Sequence, residues 1–285
     1  MDINNSNYEL NNNHFKQIEN QIKNQNSKST ATSSKSTEFN FDKLQMYFGE
    51  PYTIKCPDTN DITIFQPTIK NILDYKEEKF YIMLNPFVSN TTSYRLQLWN
   101  LGIDWNKISD YQLFCILIKR LDKESTSILF GDVDFQLFEL CTKQTKDNQE
   151  ITLYNKEQNL EISEQTYHCI SEYLRLMFNI HPKVEKAKGK ATKESIIEEE
   201  KMLLHSKKDN HFESILLPLI SSCINHPGFK YSLNDLKEVG IVQFMDSVQR
   251  LQIYESTTAL MSGMYSGMVD VKGLDENALN FMRSI

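Results

Sequence analysis

The sequence predicts a predominantly helical α+β protein, with small N-terminal and central β elements and a helical C-terminal third. Three observations carry this. Short runs of β-branched and aromatic residues recur between Gly, Pro and Asn/Asp turns before residue 66 and again at 137–162. Apolar residues at three- and four-residue steps dominate elsewhere. The stretch Asp61 to Tyr75 joins the two patterns as a short strand, a proline and the first turns of an amphipathic helix.

Residues 1–45 read as a disordered polar tail, because Asn, Ser, Lys, Gln and Thr cannot bury enough apolar surface to offset the entropy of ordering. Met46 stands where structured sequence is expected to begin and is a second candidate start beside Met1. An α+β domain is expected over 46–182. Tyr47-Phe48, Tyr52 to Ile54 and Ile62 to Phe65 read as strands, the last two pairing as a hairpin across Pro57 to Asp61. Pro67 is placed at the first helical turn, where its fixed φ suits and no donor is needed. Ile69, Ile72, Leu73, Lys76 and Phe80 would form the stripe of that helix.

Asn85-Pro86 should open a new segment, with Asn90-Thr91-Thr92 capping a helix over Tyr94 to Trp99 and Gly102 closing it. Ser109 should cap Asp110 to Leu121, and Phe130 to Phe135 reads as a turn. Leu137 to Leu140, Ile151 to Tyr154 and Leu160 to Ile162 read as strands, the first two joined by the turn Lys143 to Gln149. Ser163 opens a helix through Phe178, ended by Pro182. Residues 183–193 form a lysine-rich connector, expected to be mobile and solvated. The helical region 194–285, packed on the preceding domain, follows. Thr192 should cap a helix to about Lys207, with Ile196, Ile197, Met202 and Leu203 apolar, and another helix should span His211 to Ile224. Ser232 and Asp235 resemble a capping box, and a long helix runs from about Val242 to Tyr265.

A net charge of −7 and a pI near 5.5 give no global attraction to nucleic acid or anionic membrane. The chain has 25 Asn against 5 Ala, a skew that suggests an AT-rich genome. Cys56, Cys115, Cys141, Cys169 and Cys223 are odd in number and widely spaced, the pattern of reduced core cysteines. No apolar run is long enough to span a bilayer. These features place the protein in a reducing cytoplasm.

No catalytic, cofactor-binding or metal site is expected. Gly189-Lys190-Ala191-Thr192 lacks the upstream glycine and the strand of a phosphate loop, and Gly263 to Gly267 lies at a helix C-terminus that disfavours phosphate. Cys223-x2-His226, His205-x5-His211 and His168-Cys169 lack the partners a zinc site requires. Asp132, Asp134 and Glu198 to Glu200 are not tied to any shared cleft. Lys183, Lys186, Lys188, Lys190 and Lys193 could meet phosphates, but Glu185 interrupts them and no aromatic lies among them to stack bases.

The last long helix offers the best candidate surface. Ala259, Ser262, Gly263, Ser266 and Gly267 align at helical steps, a spacing that admits close approach of another helix. Leu260, Met261, Met264 and Met268 lie beside them, and methionine suits surfaces that accept varied apolar partners. The alternative is a face packed on the protein's own core.

From Tyr47-Phe-Gly-Glu-Pro-Tyr52 onward the chain resembles structural-module proteins of tailed bacteriophages infecting low-GC Gram-positive hosts. The matching stretches are Ile64 to Ile69, Gln97 to Trp105, Leu129 to Asp132, Leu216 to Ile220, His226 to Tyr231 and Phe244 to Leu251. Its strand, Pro-Thr, helix opening resembles that of phage tail-assembly chaperones. The resemblance implies a non-enzymatic factor in the host cytoplasm that binds the helical tape-measure protein or the tail-tube protein and is compatible with a homo-oligomer. Two alternatives stand: a minor component of the virion (tail or head-tail connector), and a nucleic-acid binder using 183–193.

Overall fold

The computed structural model describes residues 39–144, 149–206, 211–269 and 273–283. The disorder expected over 1–45 lies outside them as far as residue 38, and from residue 39 the expectation gives way to structure. Structure is already present before Met46. Helix α1 (Lys43–Tyr47) is capped by Asp42, whose Oδ1 accepts from Leu44 N at 3.0 Å and Gln45 N at 3.1 Å. Phe41 packs edge-on against Tyr52 and Tyr173. Tyr47-Phe48 is thus the end of a helix and not a strand, because the Asp42 cap and the buried Met46 favour helix.

Strands β1 (Tyr52–Ile54) and β2 (Ile62–Ile64) pair antiparallel as expected, with Tyr52 opposite Ile64. Helix α2 (Ile69–Tyr75) follows, but Pro67 is not in its first turn. Thr68 is the N-cap, in a reciprocal capping box with Asn71. The Pro67 carbonyl instead accepts from Ile241 N at 3.0 Å, and Ile69 N donates to Val239 O at 3.0 Å. The Pro-Thr switch therefore pairs with the entry to the last long helix. Lys76 takes φ 79° and breaks the expected stripe, separating α2 from α3 (Glu77–Val88). Ile69, Ile72 and Phe80 are buried while Leu73 is exposed. Pro86 lies inside α3, two residues before its last, so only one intrahelical bond is lost instead of a new segment beginning.

Asn90 does not cap the next helix; its Oδ1 accepts from Ser93 N at 2.9 Å and closes the turn before α4 (Arg95–Asn100). Gly102, at φ 78°, ends that stretch as expected. Ser109 and Gln112 box α5 (Asp110–Leu117), which tightens into a 3₁₀ turn at Ile118–Arg120. Asp122 caps α6 (Lys123–Phe130), and Gly131 closes it.

Strands β3 (Glu139–Gln144), β4 (Gln149–Asn155) and β5 (Leu160–Ile162) form an antiparallel meander. It starts two residues late, because Phe135–Leu137 is a 3₁₀ turn that sinks Phe135 into the core. Ser163 caps α7 (Glu164–Phe178), which ends on left-handed Asn179, three residues before Pro182. The main core gathers around α3, α5 and α7, where Phe87, Phe114 and Tyr167 form a continuous aromatic chain with centroids 4.8–5.4 Å apart.

The lysine-rich stretch is not a solvated linker. Asn90 Nδ2 donates to Lys183 O at 2.9 Å, Glu185 N to Thr92 Oγ1 at 3.1 Å and Asn106 Nδ2 to Ala187 O at 2.8 Å. Helix α8 begins at Lys190 (Lys190–Ser206), ahead of Thr192, and Lys193 is ion-paired with Asp104. Ala187 and Ile197 complete a second small core with Tyr94, Leu96, Leu98 and Trp105. Met202 and Leu203, expected on the apolar face, are exposed.

Helix α9 spans only Leu216–Ile224, shorter than expected. Its N-terminus is capped from a distance: Glu77 Oε1 accepts from Ile215 N and Leu216 N, each at 2.7 Å, and Oε2 from Ser214 Oγ. Helix α10 (Leu233–Glu238) carries the expected Ser232/Asp235 box, and α11 (Ile241–Tyr265) is the long final helix. The C-terminal third is helical.

Candidate functional site

Helix α11 has a buried root and an uncovered end. Ile241, Phe244 and Met245 enter the main core. Further along, His226 Nε2 meets Glu255 Oε1 at 2.9 Å, while His226 Nδ1 accepts from Gly228 N at 3.0 Å, so the neutral ring donates through Nε2. This tie joins the loop after α9 to the middle of α11.

Beyond Glu255 the helix carries no charged side chain through Val269. That is unusual for solvent-facing helix, where Lys, Glu and Asp normally predominate. The chain then turns back. Gly263 O accepts from Met268 N at 2.9 Å and Val269 N at 3.1 Å. Residues 273–283 run beside α11: Thr257 Oγ1 donates to Ala278 O at 3.2 Å, and Arg250 Nη1 to Arg283 O at 2.7 Å. Thr257 is 2% exposed beneath this strap.

The fold divides the sequence-predicted residues between two settings. Leu260, Gly263 and Met264 are half-buried, whereas Ala259, Met261, Gly267 and Met268 are exposed. Gly263 is small for an internal reason: a Cβ there would stand 2.7 Å from Val269 Cγ2. Gly267 has φ 73° and ends the helix, a conformation that favours glycine. The small-residue row is therefore not one continuous open groove. What remains open is a methionine edge, Met261 and Met268, with Met268 86% exposed.

Residues the sequence reading passed over extend this edge. Tyr265 is 84% exposed, and Phe281 and Met282 of the strap also face solvent. Tyr265 falls in the same uncharged run, which was the signal available for it; Phe281 and Met282 become visible only once the strap folds back.

At the root, burial raises the Tyr47 phenol above its ordinary range, and Asp246 adds to this. Burial opposes the Asp104 carboxylate, but hydrogen bonds from Lys193 and the Asn106 amide outweigh it and hold its pKa low. Burial pushes the Cys115 thiol up to about 12, and it also raises Cys56, Cys169 and Cys223. None of those four is poised as a thiolate nucleophile. Among the described residues no group of three or more His, Cys, Asp or Glu is arranged to hold a metal ion, and no helix is long and apolar enough to cross a membrane. No family model, curated protein or solved structure matches the chain.

Proposed function

We propose that this protein acts by binding and not by catalysis, as a phage tail-assembly factor that chaperones a helical tape-measure protein. The supporting observation is the uncharged, methionine-edged end of α11, exposed at Met261, Tyr265 and Met268. A tape-measure protein is a long helix with much apolar surface, and it needs reversible cover until the tail tube encloses it. Flexible methionines can repack against successive segments of such a helix. An acidic net charge of −7 keeps the complex soluble while that surface is engaged. The function is exerted in the host cytoplasm, before the virion is complete.

The test is co-expression of the chain with the tape-measure protein of its own gene module, followed by affinity capture. Recovery of a soluble complex, lost on Met261→Glu with Met268→Glu, is expected. Failure of capture, or capture indifferent to both changes, refutes the reading. Stoichiometric presence of the chain in purified virions, measured by mass spectrometry, would assign it to the particle instead.

A further inference from the structure

The β3–β4–β5 meander has one side packed into the protein and one left open. On the packed side Leu160 and Ile162 of β5 are buried, and the Ile162 carbonyl accepts from the Tyr111 hydroxyl of α5 at 2.6 Å. On the other side β3 is an edge, paired with β4 alone. Among the described residues no backbone hydrogen bond reaches β3 from another element. Glu139, Cys141, Thr142 and Lys143 are exposed along it, and Leu140 is half-buried.

Edge strands are ordinarily guarded against pairing by shortness, proline, a bulge, an inward charge or a lysine held across the edge. β3 is six residues long, has no proline, and pairs with β4 residue for residue without a bulge. Its inward positions are Leu140 and Thr142, opposite Leu153 and Ile151. Its lysine does not stand across the edge. Lys143 Nζ leans back over the sheet to Glu161 of β5 at 3.1 Å, with Asp58 at 3.6 Å. The backbone of the edge is thus left clear.

We propose that this edge joins two copies of the chain, β3 pairing antiparallel with β3 of the second copy about a two-fold axis at Cys141. The two meanders then form one sheet of six strands. With Cys141 opposite itself, Leu140 stands opposite Thr142 of the second copy, and Glu139 opposite Lys143. Opposed residues share a face, so Leu140 and Thr142 stay on the core side and the charged positions stay outside. Both charged rungs join unlike signs, and an ammonium has three donors, so Lys143 can serve Glu161 and a second carboxylate. A strand of another protein would gain the same backbone bonds without this self-complementary charge pattern, which is why the second copy is the occupant. The pairing is short, so association is weak and depends on concentration. It uses no residue of α11, so it stands or falls separately from the chaperone reading.

Sedimentation equilibrium of the full chain should show a reversible monomer–dimer equilibrium in about 0.15 M salt, which screens the repulsion between two chains of net charge −7. Glu139→Lys, at an exposed position, sets like charges on both outer rungs and should raise the dissociation constant about tenfold. Copper–phenanthroline oxidation reads the register. A disulfide between the two Cys141 thiols should form, and Cys141→Ser should abolish it. In the Cys141→Ser background, chains carrying Glu139→Cys should cross-link to chains carrying Lys143→Cys. Neither should cross-link to itself, because like positions are then about 13 Å apart along the sheet. A chain still monomeric at about 0.5 mM overturns the proposal. So does a dimer indifferent to Glu139→Lys, or one in which Glu139→Cys chains cross-link to each other.

Discussion

Replacing Gly263 by Leu separates a binding arm from a core helix. The position is helical, and exchanging Gly for a good helix former gains about 0.8–1 kcal/mol where there is room. Here there is none. The new Cβ would stand 2.7 Å from Val269 Cγ2 and 3.5 Å from Val269 Cβ, and the remaining Leu atoms need space beyond it. Overpacking of a fixed neighbour costs about 1–3 kcal/mol. Val269 is half-buried and belongs to the returning chain, so it has somewhere to go. If it lifts, the bonds to Gly263 O and the Thr257 bond to Ala278 O are loosened, at about 1 kcal/mol each. The helix gain offsets part of that. The net expected loss is at most about 2 kcal/mol, confined to the arm. Urea unfolding followed by the fluorescence of Trp99 and Trp105, which pack in the small core against α8, should shift little. Limited proteolysis near Phe281 and Met282 should accelerate about tenfold, as a local loss of about 1.4 kcal/mol requires. A fall above about 4 kcal/mol in the tryptophan transition would refute the reasoning, because it would make this end of α11 part of the core.

Glu77→Ala removes the acceptor of two backbone N–H groups and a hydroxyl at the start of α9. A loss of about 2 kcal/mol in chemical denaturation is expected, with faster amide exchange at Ile215 and Leu216; a change under about 0.5 kcal/mol would contradict the capping role. Asp104 has a folded pKa below its unfolded value near 3.9, so the unfolded chain binds more protons and stability rises with pH through that window. Its contribution is whole above about pH 4 and is lost as pH falls through the folded pKa; Asp104→Asn should flatten that part of the acid-stability curve, and an unchanged curve would dismiss the pair. A maleimide should label exposed Cys141 first in the native protein, while Cys115, Cys169 and Cys223 react only on unfolding; prompt labelling of Cys115 would show that its packing is misjudged.

Where local chemistry is self-sufficient, the sequence is legible. Ser109 with Gln112 and Ser232 with Asp235 form their boxes because cap and partner lie three residues apart and need nothing else. The hairpin of Tyr52–Ile54 with Ile62–Ile64 is likewise decided by its own alternation and turn. Errors fall where a distant group decides. Thr68 does cap its helix, but nothing local discloses that the backbone of Pro67, Thr68 and Ile69 pairs with Ile241, Gly240 and Val239, more than 170 residues away. Glu77 looks like a first-turn acid of α3, and nothing nearby discloses that it caps α9. The connector looks solvated because lysine tips are, but its carbonyls at Lys183 and Ala187 are bound by Asn90 and Asn106, so the backbone is fixed while the charges stay outside.

The candidate surface divides along the same line. Helical spacing alone placed Gly263 and Met261 on neighbouring tracks of α11 and could not tell which the chain would cover. Val269 decides it by returning over Gly263, and Met261 is left outside. Under the proposed docking, a partner helix at this end would meet methionine, tyrosine and the edge of a strap held by a few hydrogen bonds. It would not meet an open glycine track. Affinity there should depend on the loss of Met261 and Met268 far more than on the size of residue 263, and a Gly263→Leu protein that still captures its partner would be consistent with the geometry. The reverse ranking, with Gly263 dominant and both methionines silent, would mean that the strap must leave before the partner can bind.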